Sequence, residues 1–217
     1  MNPAIIFDRK EYDPRKAGCR CDVCPLKGKI VVPPEGPPDA EAMVIAEGPG
    51  DWEERKKRPL VGPSGLLLDE LLYRSNIKRN RLWISNTTLC RPEVPGLTGK
   101  ERYSLNRYMA WIRAENAKRR KEAKAAHAPP QLLNSPIECC KGRLDAEVQW
   151  FDWVAKNRGE PNGVMIYPTG GYALKTLTRK EGIMKHMGSP TPVQIIHEPL
   201  HEGEVVIRRR VDEDIPF

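Results

Sequence analysis

Six cysteines stand at Cys19, Cys21, Cys24, Cys90, Cys139 and Cys140. In a chain whose N-terminus, MNPAIIFDRKEYDPRK, does not read as a secretory signal, clustered cysteines point to a metal site and away from disulfides. Cys21-Asp22-Val23-Cys24 is a pair with two residues between its thiols, followed by Pro-Leu. That spacing lets both sulfurs reach one centre. Cys90 closes ISNTTLC, and Cys140 opens a helical segment much further on. Four thiolates drawn from three places suit tetrahedral zinc or a [4Fe–4S] cluster, and spacing alone does not choose between them. Cys19 and Cys139 are spare, and each could replace its neighbour.

A second constellation is AEGPGDWEERKKRPLVGPSG. Two Gly/Pro turns enclose a charged stretch, between the apolar run AMVI and the leucine-rich LLLDELL. Glu47 and Glu53 lie in or just after the first turn, where a carboxylate can position water or accept hydrogen bonds. The glycines would let a ligand approach the backbone closely.

Elements must hold these residues in place. Ala42–Ala46, 81–85, 163–167 and 193–197 read as short apolar strands. Helices are expected from Ser64 through LLLDELLYRS, over 100–126, over 137–156 and over 170–178. Strands alternating with helices predict a three-layer α/β/α sandwich with a short, mostly parallel four-stranded central sheet. In such sheets ligands bind beyond the carboxyl ends of the strands, where Ala46–Gly50 leaves the first one. The 217 residues suit a single domain, 1–217, with a basic, largely helical insertion at about 93–135.

Hydrophobic residues make up 39% and charged residues 30%, enough for a core under a charged surface. No apolar run approaches membrane-span length, so a cytoplasmic protein is expected. The net charge of +7 favours a polyanionic partner such as nucleic acid. Its densest patch, AKRRKEAK, places Lys118, Arg119, Arg120 and Lys121 on the insertion, where they would track phosphates. Trp111 and the nearby tyrosines could stack on bases, although packing the helix onto the domain is the simpler role.

Taken together, CDVCPL, AEGPGDWEE, RPLVGPSGLLLDELL, LWISNTTLCRPE, PIECCKGRLDAEV and TGGYALKTL resemble the family 4 uracil-DNA glycosylases, the iron–sulfur branch of that superfamily. The resemblance implies excision of uracil from single- or double-stranded DNA by hydrolysis of the N-glycosidic bond after base flipping. It implies that Cys21, Cys24, Cys90 and Cys140 hold a [4Fe–4S] cluster, zinc being the lesser alternative. It implies that Glu47 directs water, with Glu53 a second candidate; a monomer is expected. Gly48, Pro49 and Gly50 would form the pocket, and Asn86 would read uracil, since an amide can pair with both O4 and N3–H.

Two positions depart from the family pattern. Leu60 stands where the family has an aromatic residue that stacks on the flipped base. The His-Pro-Ser motif, whose histidine steadies the departing uracil anion, is replaced by VQIIHEPLHEG, with His197 the best candidate. These departures raise the alternative of a weakly active or inactive iron–sulfur protein of the same fold, acting as a uracil or DNA sensor or a replication accessory. Another branch of the superfamily captures uracil covalently through a histidine on a basic loop. The order and spacing around His127 differ from that loop.

Overall fold

The computed structural model describes residues 11–182. Ala42–Ala46 (β1), Leu82–Asn86 (β2) and Met165–Thr169 (β3) form a parallel sheet in the order β2-β1-β3. Val44 and Ala46 of β1 face one side of the sheet, Met43 and Ile45 the other, and all four are buried. A central strand covered on both faces needs such a continuous apolar run. β3 alternates between exposed and half-buried residues and carries Pro168, which tolerates only an edge or bulge position. Thus three parallel strands stand among the described residues. The expected fourth strand, 193–197, lies outside them, and so does His197.

Helices cover both faces. On one, Met43, Ile45 and Trp83 pack with Leu144, Val148 and Phe151 of Pro136–Asn157, and with Ala173 and Leu177 of Gly171–Thr178. On the other, Val44, Ala46, Leu82 and Ile84 pack with Leu60 and with Leu72 of Pro63–Arg74. In chain order the α-helices are α1 (Asp51–Lys56), α2 (Pro63–Arg74), α3 (Leu105–Ala125), α4 (Pro136–Asn157) and α5 (Gly171–Thr178). The apolar spacing does not announce α1, which is short and almost entirely charged or aromatic. Its acids lead and its bases trail, in the sense the helix dipole favours.

Not every leucine of α2 points inward. Leu72 is buried and Leu68 packs against the core, whereas Leu66, Leu67 and Leu71 are exposed among the described residues. The helix expected over 100–126 is broken at Ser104. A 3₁₀ turn at Lys100–Tyr103 precedes it, and Ser104 then caps α3 by accepting from Arg107 N–H at 3.4 Å. The buried residues of α3 are Leu105, Tyr108 and Ile112, all in its first half. They join Leu26, Val94 and Trp111, so the aromatic residues of this segment pack it onto the cysteine loop. Asn116 fastens the returning chain: its amide donates to Leu133 C=O at 2.9 Å and accepts from Leu133 N–H at 2.7 Å. No helix among the described residues is long and apolar enough to cross a membrane.

Candidate active site and cysteine cluster

The parallel register brings Ala46, Asn86 and Thr169 level at the carboxyl edge of the sheet. Glu47 follows Ala46 and is locked on both sides. Its carbonyl accepts from Thr87 Oγ1 and from Thr88 N–H at 3.2 Å, joining the exits of β1 and β2. Its carboxylate Oε1 accepts from Tyr172 N–H at 3.0 Å, in the first turn of α5. The N-terminus of a helix presents unpaired amides and favours negative charge. Gly170, with φ +112°, lies so close that a Cβ there would fall 2.5 Å from Glu47 Cγ. The Thr-Gly-Gly-Tyr turn is therefore the seat of Glu47.

Glu53 is buried on α1 and binds both Gly/Pro turns. Oε2 accepts from Gly50 N–H at 3.0 Å, and Oε1 accepts from Val61 N–H at 2.9 Å and Gly62 N–H at 2.7 Å. A Cβ on Gly50 would sit 2.6 Å from Oε2. The charged stretch between the turns thus folds back so that one carboxylate ties Glu-Gly-Pro-Gly to Val-Gly-Pro-Ser-Gly. Leu60 precedes this clamp in a left-handed conformation, φ +48°, with its side chain buried against Val44 and Ile84. A non-glycine residue pays roughly 1–2 kcal/mol for that conformation. The core contact of the leucine side chain offsets it.

Asn86 ends β2 and is 2% exposed. Its backbone carbonyl accepts from Arg143 Nη2 at 2.6 Å, but its side-chain Nδ2 is buried and finds no partner among the described residues. An unpaired buried donor costs about 1–3 kcal/mol. Buried donors are nearly always paired, so this one is open to a partner beyond the described residues.

The cysteines converge near the start of α4. Cys19 packs with Cys140, Leu89, Cys21 and Tyr12, while Cys24 and Cys90 line the adjoining cluster around Leu26. Arg20 N–H donates to Cys139 C=O at 2.8 Å, and Cys90 pairs with Val31 in an isolated antiparallel bridge. Burial pushes the thiols of Cys24 and Cys90 up to about 12. Cys19 donates to Cys140, which raises Cys19 and lowers Cys140. Among the described residues no three His, Cys, Asp or Glu side chains are already gathered about one point for a single ion.

The chemistry of the donor set nevertheless suits a larger sulfur-ligated group. Cys21 packs in one cluster with Cys140, Cys24 and Cys90 lie in the adjoining one, and Leu26 N–H donates to Cys24 Sγ at 3.4 Å. Amide-to-sulfur bonds of this kind steady thiolate ligands and tune what they hold. Arg91, next to Cys90, bonds Asp51 at 3.0 Å and Glu54 at 3.1 Å and lies 3.5 Å over the Tyr103 ring. It thereby pins the cysteine loop to α1 and to the 93–135 segment. Beside that loop a cavity of about 650 Å³ opens between Leu26, Val94, Tyr108 and Trp111, with Lys29 and Arg102 both paired to Glu93 on its rim.

The four basic candidates sit apart, on the second half of α3. Arg119 is engaged by Glu115 at 3.0 Å and by Gln131 C=O at 2.9 Å. Lys118 makes an exposed contact of 3.8 Å with Glu122, and Arg120 and Lys121 are exposed.

A family model described as the uracil DNA glycosylase superfamily matches residues 33–205. The chain belongs to that superfamily. It is 43% identical over 75 residues to the type-4 uracil-DNA glycosylase of Thermotoga maritima, covering 34% of this chain and 39% of that protein. It is 42% identical over 74 residues to the type-4 enzyme of Pyrobaculum aerophilum, covering 33% and 38%. The matched stretches span well under half of these relatives. Tyr172, Gly170, Thr87 and Thr88 complete the Glu47 seat without having been singled out from the sequence. Their sequence signals were position, at the exits of β2 and β3, and membership of the stretches LWISNTTLCRPE and TGGYALKTL.

Proposed function

We propose that this chain is a uracil-DNA glycosylase of the type-4 kind. It would hydrolyse the N-glycosidic bond of a deoxyuridine flipped into the carboxyl edge of the sheet. The observation that carries the reading is the pairing of a seated carboxylate, Glu47, with a buried amide, Asn86, whose Nδ2 has no partner among the described residues. Nδ2–H is free to donate to O4 of uracil. Cytosine offers a donor at that place, so the same amide orientation rejects it.

Glu47 directs the attacking water and stabilises the positive charge that grows on the sugar as the bond breaks. Its fixed seat on Tyr172 N–H lowers the cost of orienting it during the reaction. Glu53 acts as a positioning residue that shapes the walls formed by Gly48, Pro49 and Gly50, whereas the Leu60 side chain is turned into the core. His197 takes the role of steadying the departing uracil anion. Cys21, Cys24, Cys90 and Cys140 hold a [4Fe–4S] cluster, which supplies a structural anchor near the DNA. Arg120 and Lys121 follow phosphates.

The test uses full-length protein purified without oxygen and an oligonucleotide with one uracil, either single-stranded or paired with guanine, followed by alkaline cleavage of abasic sites. Strand breakage that Glu47→Gln abolishes is the expected result. Absence of breakage by a protein that still binds the DNA would overturn the enzyme and leave a DNA-binding member of the fold.

A further inference from the structure

Arg143 is wholly buried, one helical turn after Cys140. Its guanidinium donates through Nη1 to Ser85 Oγ at 2.6 Å and to Glu147 Oε1 at 2.9 Å, and through Nη2 to Asn86 C=O at 2.6 Å. Glu147, also wholly buried, accepts in turn from Trp83 Nε1 at 3.0 Å. A buried ion pair is costly unless its remaining donors and acceptors are used, and here β2 uses most of them.

Besides Asn86 Nδ2, two donors in this region are left over. Arg143 Nε and Tyr12 Oη are both buried and both lack a partner among the described residues. Tyr12 packs in the Cys19–Cys140 cluster. Residues 18 and 142 are in tight backbone contact: a Cβ on Gly18 would stand 3.2 Å from Arg143 N, and one on Gly142 would stand 2.8 Å from Gly18 O. The chain that carries Cys19 therefore lies directly on the Cys140–Arg143 turn.

We propose that Arg143 is a positioning residue joining the cysteine site to the uracil-reading end of β2. Its Nη groups fix Ser85 and Asn86, while its Nε–H, together with the Tyr12 hydroxyl, donates to sulfur of the cysteine-held group. The inference rests on the glycosylase and cluster reading above and assigns two residues to it. Fixing the Asn86 carbonyl fixes the plane from which the amide reaches the base. Donors and positive charge next to a cluster's sulfurs raise its reduction potential.

Three variants test the link in the full chain: Arg143→Met/Glu147→Gln, which removes the ion pair together, Arg143→Lys, and Tyr12→Phe, which removes one hydroxyl. Circular dichroism and thermal melting establish that each is folded. In the double variant kcat on the uracil oligonucleotide falls about 10- to 100-fold, the usual cost of losing a supporting partner, while KM stays within about twofold. Arg143→Lys keeps the charge but cannot span Ser85, Asn86 and sulfur at once, so its kcat falls too while its reduction potential stays closer to the parent's. Tyr12→Phe and the double variant lower the potential.

A brown parent protein whose folded variants show unshifted potentials and unchanged kcat would overturn the link alone. A parent that stays colourless after anaerobic reconstitution with iron and sulfide would overturn the cluster reading, and with it the sulfur half of the link. In that case an unchanged kcat in the double variant would overturn the Asn86 half as well.

Discussion

Glu47 and Gly170 touch so closely that the carboxylate side chain occupies the space a Cβ at position 170 would need. Gly170 also adopts φ +112°. Gly170→Ala is expected to cost about 1–3 kcal/mol of stability through backbone strain. It should also push Glu47 off Tyr172 N–H, lowering uracil excision on the order of 100-fold, the scale of an ångström-sized misplacement. Thermal melting and single-turnover excision, measured together, check both effects. An alanine variant with parental kcat would mean that the seat is irrelevant to the reaction.

Glu53 and Glu47 should separate cleanly. Removing the Glu53 carboxylate leaves three backbone N–H groups without their acceptor, each costing about 1–3 kcal/mol where buried. Glu53→Ala is therefore expected to unfold at markedly lower denaturant than Glu53→Gln, which keeps one acceptor oxygen. Glu47→Gln should leave the denaturation midpoint nearly unchanged and abolish excision.

Asn86→Leu is expected to do the reverse of an ordinary core substitution. The amide Nδ2 is buried and unpaired among the described residues, so an apolar side chain of similar size leaves stability unchanged or raises it by about 1 kcal/mol. Excision should be lost while DNA binding persists. A large fall in stability with excision intact would mean that Asn86 serves the fold and not the base.

Leu60 fills the core between β1, β2 and α2, so Leu60→Ala should cost about 2–5 kcal/mol. Leu60→Phe adds volume to a packed site and should cost about 1–3 kcal/mol. Urea titration of the three proteins gives the order: parent, phenylalanine, alanine.

The basic face of α3 divides in two. Arg120→Ala/Lys121→Ala should weaken DNA binding uniformly across sequences and reduce the salt slope by about 1 for each phosphate that is no longer neutralised. Arg119→Ala should instead loosen the returning chain at Gln131, visible as faster amide exchange there, with little change in the salt slope.

Periodicity and turn chemistry were enough to read β1, β2, most of β3 and the four longer helices: strands β1 and β2, buried on both faces, leave short apolar runs, β3 lies between turn residues, and a capped helix leaves its Ser, Pro and Gly marks. The turns at the sheet's carboxyl edge were legible for the same reason: glycines stand where backbone and carboxylate crowd together. The resemblance ranks Glu47 before Glu53, but the sequence could not reveal how each carboxylate is held. Glu47 and Glu53 are alike in type and close in number, and only the arrival of α5 at one and of Val61–Gly62 at the other distinguishes a seat from a clamp. Nor could it reveal that Arg143 would be buried. A basic residue in a helix reads as solvated until Glu147, Ser85 and the Asn86 carbonyl, drawn from two separate elements, close around it. Local pattern determines elements because it depends on near neighbours. The roles of charged side chains depend on partners that only the tertiary fold brings within hydrogen-bonding distance.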